Sequence, residues 1–500
     1  MISNSKPSDS RAFTGPGEPA LGSLGHYLAI AGFVLYAITA PHSIAAAEIS
    51  IAAATVGWLL RTVATRRTGL RRTSFDLPIL FFLLWTVVSS ILSVEPGISL
   101  AKLESSWLPL VFYVAQAVIT RRTAIPLVCL LIVSGVAGTI YSVYDLARGR
   151  GIVVESMTPD SPFHLIDVKP GDAIWRIDGR RVYSTVEIDD ILGSLKPGVP
   201  IAASLITSGE HVERPGLVVT SEMKTLLSPS GIIGHYPSHR FRASGWTRHY
   251  ETFSELLQLI AQLSLGLALA HLRNHGPNPR FKIAITASVL LATGIALTAM
   301  RTVLIAFALG ACIVVWRSLR GRAKLVLYGA IAATLAVGSF VVWQTRAQNS
   351  LTFKDPSSSL RIQVARIGLS RIMMHPVFGH GMDAVHQHWN EWGFPGKEMI
   401  HLHSTPLQLA FDRGLPALAF WLWIIGVFWF SALRAERDAS DSSDTNRYGI
   451  FLGVLGAVTG FFASSLVNYN FGDAEVALLF WWLMGLLVAL RFKKPNIEVI

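Results

Sequence analysis

An all-α polytopic membrane protein, about twelve transmembrane helices interrupted once by a β-rich domain outside the membrane, is the fold class this sequence predicts. Three observations predict it. Of the 500 residues, 51% are hydrophobic and 15% charged, with a mean hydropathy of +0.46, whereas a soluble domain carries about 25% charged residues. Apolar runs recur close to the length a bilayer demands, about 20 helical residues. Between residues 144 and 225 the pattern changes to short β-branched runs separated by turn residues. The net charge of +11 does not point to nucleic acid, because the basic residues cluster in short loops beside apolar runs, as the positive-inside rule requires. Cys129 and Cys312 both lie within apolar runs, so no disulfide or cysteine-based metal framework is expected.

The spans expected in order are 26–41, 43–61, 76–94, 106–120, 124–143, 251–272, 282–299, 301–317, 324–344, 414–433, 448–467 and 474–491. The polar first residues carry no basic segment directly before the apolar run at 26, so that run reads as a retained span and 1–25 as a cytoplasmic tail. Basic loops at Arg61–Arg72, Arg121–Arg122, Arg273–Lys282, Arg317–Lys324 and Arg434–Arg447, and the basic end at Arg491–Lys494, are assigned to the cytoplasm. An even number of spans then separates each neighbouring pair. The domain order is 26–143 with helices one to five, 144–225 outside, 226–344 with a linker and helices six to nine, 345–413 as a second outer loop, and 414–500 with the last three helices.

Within this order, "LTAMRTVLIA" at 297–306 places an arginine inside a run that is apolar from Ile283 to Trp316. An arginine at the bilayer centre costs roughly 2.5–3.5 kcal/mol on insertion scales. As one helix the run would be about 50 Å long, too long for one span. A hairpin turning at Met300–Arg301 on the outer face removes the conflict: Arg301 then meets water or an anion, or snorkels.

The module "RGRGIVVESMTPDSPFHLIDVKPGDAIWRIDGRRV" begins at 148, with turns at Pro159-Asp160, Lys169-Pro-Gly171 and Asp178-Gly179 and a helical stretch near Thr185–Ser194. The order "SP", "KPGDAI", "IDGRRV" resembles a bacterial-type PDZ domain over about 75 residues. The resemblance implies a periplasmic β-sandwich that captures protein C-termini by strand addition and amide contacts to the carboxylate. Gly149, Arg150, Gly151 and Ile152 are the matching loop; the alternative role is a spacer or lid.

The second outer segment holds His375, His380, His386, His388, His401 and His403. No HExxH appears and no cysteine supports the two His-x-His pairs, so neither a metal nor another cofactor is expected. "HSTPLQLAFDRGLPA" at 403–417 differs from the rest. Ser404 or Thr405 caps a helix with Pro406 in its first turn, and Gly414-Leu-Pro416 ends it before a span. His403 is thereby fixed at a helix start beside the membrane. Here the sequence resembles the O-antigen ligase and polymerase family of bacterial envelopes, whose motif is His, then Asn, Ser or Gln, nine residues, Gly, two residues, and Gly, Thr or Tyr. His403, Ser404 and Gly414 fit it, and Ala417 departs at the last position. "SLRIQVARIGLSRIMMHPVFGHGMDAV" (359–385), "RFRASGWTRHYETFSELL" (240–257), "ALTAMRTVLIAF" (296–307) and "SSLVNYNFGDAEVALLFWWLMG" (464–485) resemble further family segments, so the likeness covers about 240–490.

The resemblance implies a membrane glycosyltransferase of the GT-C type in the bacterial inner membrane, with its active face periplasmic. It would move a glycan from an undecaprenyl-pyrophosphate carrier to lipid A–core, to a growing glycan or to a protein. In that chemistry arginines stabilise the pyrophosphate leaving group and a histidine takes the acceptor proton. Arg301, Arg242, Arg361 and Arg240 are the expected pyrophosphate ligands, and His403 with Arg301 the expected catalytic pair. The plainer alternatives are a basic stripe on anionic lipid for Arg240, Arg242 and Arg248, and a helix-start histidine without chemistry for His403. Two other function classes make different demands on the sequence. An intramembrane protease needs HExxH or a Ser/His pair within spans, and neither is found. A polysaccharide or lipid transporter would show an internal repeat between halves.

Overall fold

The structure, a computed structural model, describes residues 20–207, 210–239, 241–247, 249–345, 356–396 and 398–491. Two antiparallel helices open it, α1 (Ala20–Thr39) and α2 (Ile44–Thr65), separated by the Ala40–Ser43 turn. Ser43 caps α2 by accepting from Ala46 N. Next come α3 (Asp76–Leu92), the short α4 (Pro96–Ala101), a 3₁₀ turn at Lys102–Trp107, and α5 (Leu110–Val118). The span expected at 106–120 is therefore only a nine-residue helix, about 14 Å long, or half a bilayer core. Pro109 sits at its start. At its other end, Ile119 turns into Thr120, which already caps α6 (Arg121–Arg148) through a reciprocal capping box with Thr123.

The inserted domain follows α6 directly. Its strands are β1 (Ile152–Met157), β2 (Ala173–Ile177), β3 (Arg180–Arg181), then helix α7 (Thr185–Ser194), then β4 (Ile201–Thr207), β5 (Glu210–Leu217) and β6 (Ile232–Pro237). All pairings are antiparallel, in the order β5-β4-β2-β1-β6 with β3 on β2. The sheet thus extends past 225 to Pro237. Val154, Phe163, Ile174, Ile177, Ile188 and Leu192 are fully buried in the domain's own core. Arg150 and Asp145 form a buried ion pair that fastens the domain to the end of α6, and Arg181 Nη1 donates to Tyr141 Oη at 2.8 Å.

The second helical half comprises α8 (Tyr250–His275), α9 (Pro279–Leu297), α10 (Arg301–Ser318), α11 (Arg322–Thr345), α12 (Pro356–Met374), α13 (Ala384–Gln387), α14 (Thr405–Ala439), α15 (Thr445–Ser465) and α16 (Ala474–Arg491). The run 283–316 is the expected hairpin: α9 ends at Leu297 and α10 begins at Arg301. Gly266 of α8 lies against Gly449 and Gly453 of α15, where any side-chain carbon would strike backbone; small residues let membrane helices approach this closely. Among the described residues, nine helices are long and apolar enough to cross a membrane, and α3 is a shorter apolar helix. The protein is a polytopic membrane protein with an inserted β domain.

Helix α14 is two segments. Gly414, at φ 79° and ψ 172°, is non-helical inside it. A side-chain carbon there would overlap the Val377 carbonyl, and Leu415 N donates to Pro376 O at 2.7 Å. Only glycine adopts this backbone at small cost. The kink sets 405–413 apart from the membrane-length segment after it.

Candidate functional site

The 405–413 segment starts as the sequence dictates: Ser404 Oγ accepts from Leu407 N, and Pro406 occupies the first turn, where no amide donor is needed. Loop 375–383 locks it from one side, with His380 N donating to Phe411 O at 2.7 Å and Gly381 N to Asp412 O at 2.9 Å. The same loop reaches the turn after α3, where Glu95 N donates to His380 O at 3.0 Å. The 466–473 loop locks the other side. Thr405 donates from both N and Oγ1 to Asn468 O, and Asn470 Oδ1 lies 3.1 Å from that hydroxyl.

These elements enclose a cavity of about 530 Å³. Its walls are the starts of α8 and α16, the 405–413 segment, the 466–473 loop, the 3₁₀ turn at 102–107 and the loop before His403. Helix N-termini carry partial positive charge and favour anions. The side chains are mixed. Lys102 and Arg413 line the cavity beside His249 and His401, facing Glu251, Glu255, Asp383, Asp412, Asp473 and Glu475. Glu255 is 5% exposed and accepts from Ser464 Oγ at 3.0 Å. Asp473 accepts from Thr252 Oγ1, and Asp412 from Gln408 Nε2 at 2.8 Å. Burial and the nearby Asp412 carboxylate push the Tyr469 phenol upward, so it stays a neutral donor over the cavity.

The residues singled out in the sequence divide. His403 does not itself line the cavity; its neighbour His401 does. The two rings meet edge-on, centroids 4.5 Å apart, and His403 N lies 3.2 Å from His401 Nδ1. An imidazole nitrogen that accepts an amide proton is unprotonated, so His401 is neutral with its proton on Nε2. Burial, then the Arg361 charge, push His401 down to about 4, and burial, His401 and Arg361 push His403 to about 3. Arg361 stands over this pair, its Nη2 3.5 Å from Glu251 Oε1 and its Nη1 3.5 Å from Val467 O.

Arg301 opens α10 and is half-buried. It is not among the cavity-lining residues, but the next residue, Thr302, accepts from Asn468 Nδ2 at 3.2 Å. Arg301 is therefore the chain neighbour of a residue that contacts the cavity wall at Asn468. Arg242 is 5% exposed, its guanidinium 4.2 Å over the Tyr250 ring, and it too stays outside the lining. Its loop is pinned to the hairpin tip by Ala243 N donating to Leu297 O at 3.1 Å. Arg240, with Arg248, lies outside the described residues.

The loop at Gly149–Ile152 is already occupied. Gly149 N donates to Asp145 O, Arg150 N to Ser238 O at 2.7 Å, and Ser238 N to Gly151 O at 3.0 Å. Arg150 is buried against Asp145, with Phe241 4.4 Å from its guanidinium carbon. Ile152 and Val153 pair with β2 on one side and β6 on the other.

Sequence reasoning missed Arg413, Asp412, Gln408 and Lys102. The signal for the first two was present: an Asp-Arg pair interrupting apolar sequence just before a glycine is costly in a membrane helix and points to function.

Residues 286–422 match the family model described as O-antigen ligase. The match runs from α9 into α14 and so contains Arg301, Arg361, His401, His403 and Arg413. Over 88 residues the chain is 28% identical to the magnetosome formation protease MamE of Magnetospirillum gryphiswaldense; this is 18% of the chain and 10% of that protein. The chain thus spans about a tenth of the length of this curated relative.

Proposed function

We propose that this O-antigen ligase-like membrane protein transfers a glycan from an undecaprenyl-pyrophosphate carrier to an acceptor hydroxyl at the periplasmic face of the bacterial inner membrane. The observation that carries the reading is the cavity where Arg413, Lys102 and His401 meet a wall of carboxylates, inside and beside a segment of O-antigen ligase type. Glycan transfer from such a carrier needs a cation for the leaving pyrophosphate and acceptors for sugar hydroxyls. Arg413 and Lys102 in the cavity, with Arg361 at its edge and the starts of α8 and α16, meet the first need. Arginine binds phosphate oxygens as a fork and keeps its charge throughout. Glu255, Asp412, Asp473 and Gln408 accept from hydroxyls and orient the sugar.

The acceptor proton passes to a neutral base. His403 holds that role from its place at the helix start, its ring against that of the cavity-lining His401. Developing charge on the leaving pyrophosphate is met by preset guanidinium groups. Arg301 supports the wall from behind through the Thr302–Asn468 contact. The acceptor is lipid A–core, a growing glycan or a protein. The inserted domain, PDZ-like in sequence, acts as a spacer over α6, because its carboxylate loop is engaged by Ser238. The test is transfer by purified protein from carrier-linked glycan to lipid A–core. Loss of transfer in Arg413→Ala and His403→Ala, with membrane abundance retained, supports the reading. Full activity in both sinks it.

A further inference from the structure

A second cavity lies at the other end of the helices, far along the chain's spans from the first. It is a cleft of about 780 Å³ between α6, α8 and α9, within the range of ligand pockets. Its apolar wall on α6 runs from Ile125 to Val136, twelve residues or about 16 Å of helix, close to the depth of one bilayer leaflet, about 15 Å. Its mouth is at the basic ends of the helices. There Arg280 and Lys282 line it beside His271 and Asn446. Neither cation forms an ion pair with an acidic side chain among the described residues. His271 is 4% exposed; its Nε2 meets Asn446 Oδ1 at 2.9 Å, while its Nδ1 is buried without a partner. A buried unpartnered ring nitrogen is costly. The residue it belongs to lines a cleft that is apolar for one leaflet's depth and cationic at its mouth.

We propose that this cleft is a binding site for an anionic phospholipid, with one acyl chain along α6 and the phosphate on Arg280 and Lys282, within reach of His271. Charge complementarity selects the occupant: a zwitterionic lipid brings no net charge to two unpaired cations, and a free phosphate leaves the 16 Å apolar wall unfilled. This site is separate from the proposed transfer site and does not depend on it.

The experiment uses the full chain in detergent, delipidated and then titrated with phosphatidylglycerol or with phosphatidylcholine of the same acyl chains, with retained lipid counted by native mass spectrometry. One phosphatidylglycerol retained in preference to phosphatidylcholine is expected. The double variant Arg280→Gln, Lys282→Gln should lose roughly 30-fold in apparent affinity, at about fivefold per interfacial cation. Val133→Trp, which fills the cleft but keeps both cations, should lose binding as well. Thermal unfolding of each variant separates loss of the site from loss of the fold; if Val133→Trp does not fold, the double variant decides. Equal retention of the two lipids overturns the proposal. So does wild-type retention by the double variant, or preferential retention of an isoprenoid pyrophosphate over phosphatidylglycerol.

Discussion

His403 adopts a left-handed backbone, φ 53°, which costs a non-glycine residue about 1–2 kcal/mol. The strain is held by the helix cap that follows at Ser404 and by the amide contact to His401. Strained residues of this kind cluster at functional sites. Replacing His403 with alanine should lower transfer by about 10²- to 10⁴-fold, the usual scale of general-base catalysis, with protein abundance in the membrane as the control. The pair also sets a pH dependence. Both histidines lie below their unfolded value near 6.5, so the unfolded chain binds more protons as pH falls. The stabilisation is complete above about pH 6.5 and declines as pH drops through 6.5 toward 4. Thermal unfolding in detergent at pH 7.5 and 5 should show a loss at the lower pH that shrinks in a His401→Asn, His403→Asn variant; an unchanged loss would refute the assignment. Arg301 tests whether support behind the cavity wall matters to transfer. Arg301→Lys should retain part of the activity, and Arg301→Ala, which removes a positioning residue rather than a donor to the leaving group, should lower transfer by less than Arg413→Ala does in the same assay. A chelator should leave transfer unchanged.

At the scale of elements, two joints decide the architecture. The first is Gly414, where the 405–413 segment turns away from the span that follows. Gly414→Ala forces a side chain toward the Val377 carbonyl at a backbone angle only glycine tolerates; a loss of about 1–3 kcal/mol from strain alone is expected, read as reduced thermal stability together with reduced transfer. The second is the strap after the β domain. Asp189 of α7 accepts from Ser230 N at 2.8 Å and Ser228 Oγ at 2.9 Å, and Thr158 N donates to Gly231 O at 2.7 Å, which seats β6 along β1. Expressed alone, residues 148–239 should give a cooperative thermal melt by circular dichroism. Residues 148–225 lack β6, leave the β1 edge unpaired, and should melt lower or not fold. Equal melts would mean that β6 contributes nothing to the domain.

On the scale of the whole molecule, charge and site give the same orientation. The proposed transfer cavity gathers the starts of α8 and α16 with the 405–413 segment, and the basic cleft lies toward the end of α8 and the start of α9. A single membrane orientation should therefore place the two on opposite faces. Cysteine substitutions at Leu165 and His386 should react with an impermeant thiol reagent from the periplasm, whereas substitutions at His275 and Ser442 should react only after the membrane is breached. Labelling of all four from one side would overturn the topology.

Much of this molecule was legible in residues alone. Apolar runs of bilayer length, and their basic flanks, are local properties; they gave the helices, the 283–316 hairpin and the interruption at 144. Capping chemistry is equally local, so Ser404, Pro406 and Gly414 marked their helix before any coordinate was known. The half-length α5 was hidden because hydropathy reports what a segment is made of, and a proline with an adjacent cap then decides how long it stays helical. The side chains of the cavity could not be read off in this way. Arg242, promising in sequence, is stacked under Tyr250, whereas Arg413, passed over in sequence, lines the cavity with Glu255 and Asp473, 158 and 60 positions away. Sequence fixes which groups lie near a helix end; only packing between helices selects which of them share one cavity, because that depends on rotations about each axis that no local pattern encodes.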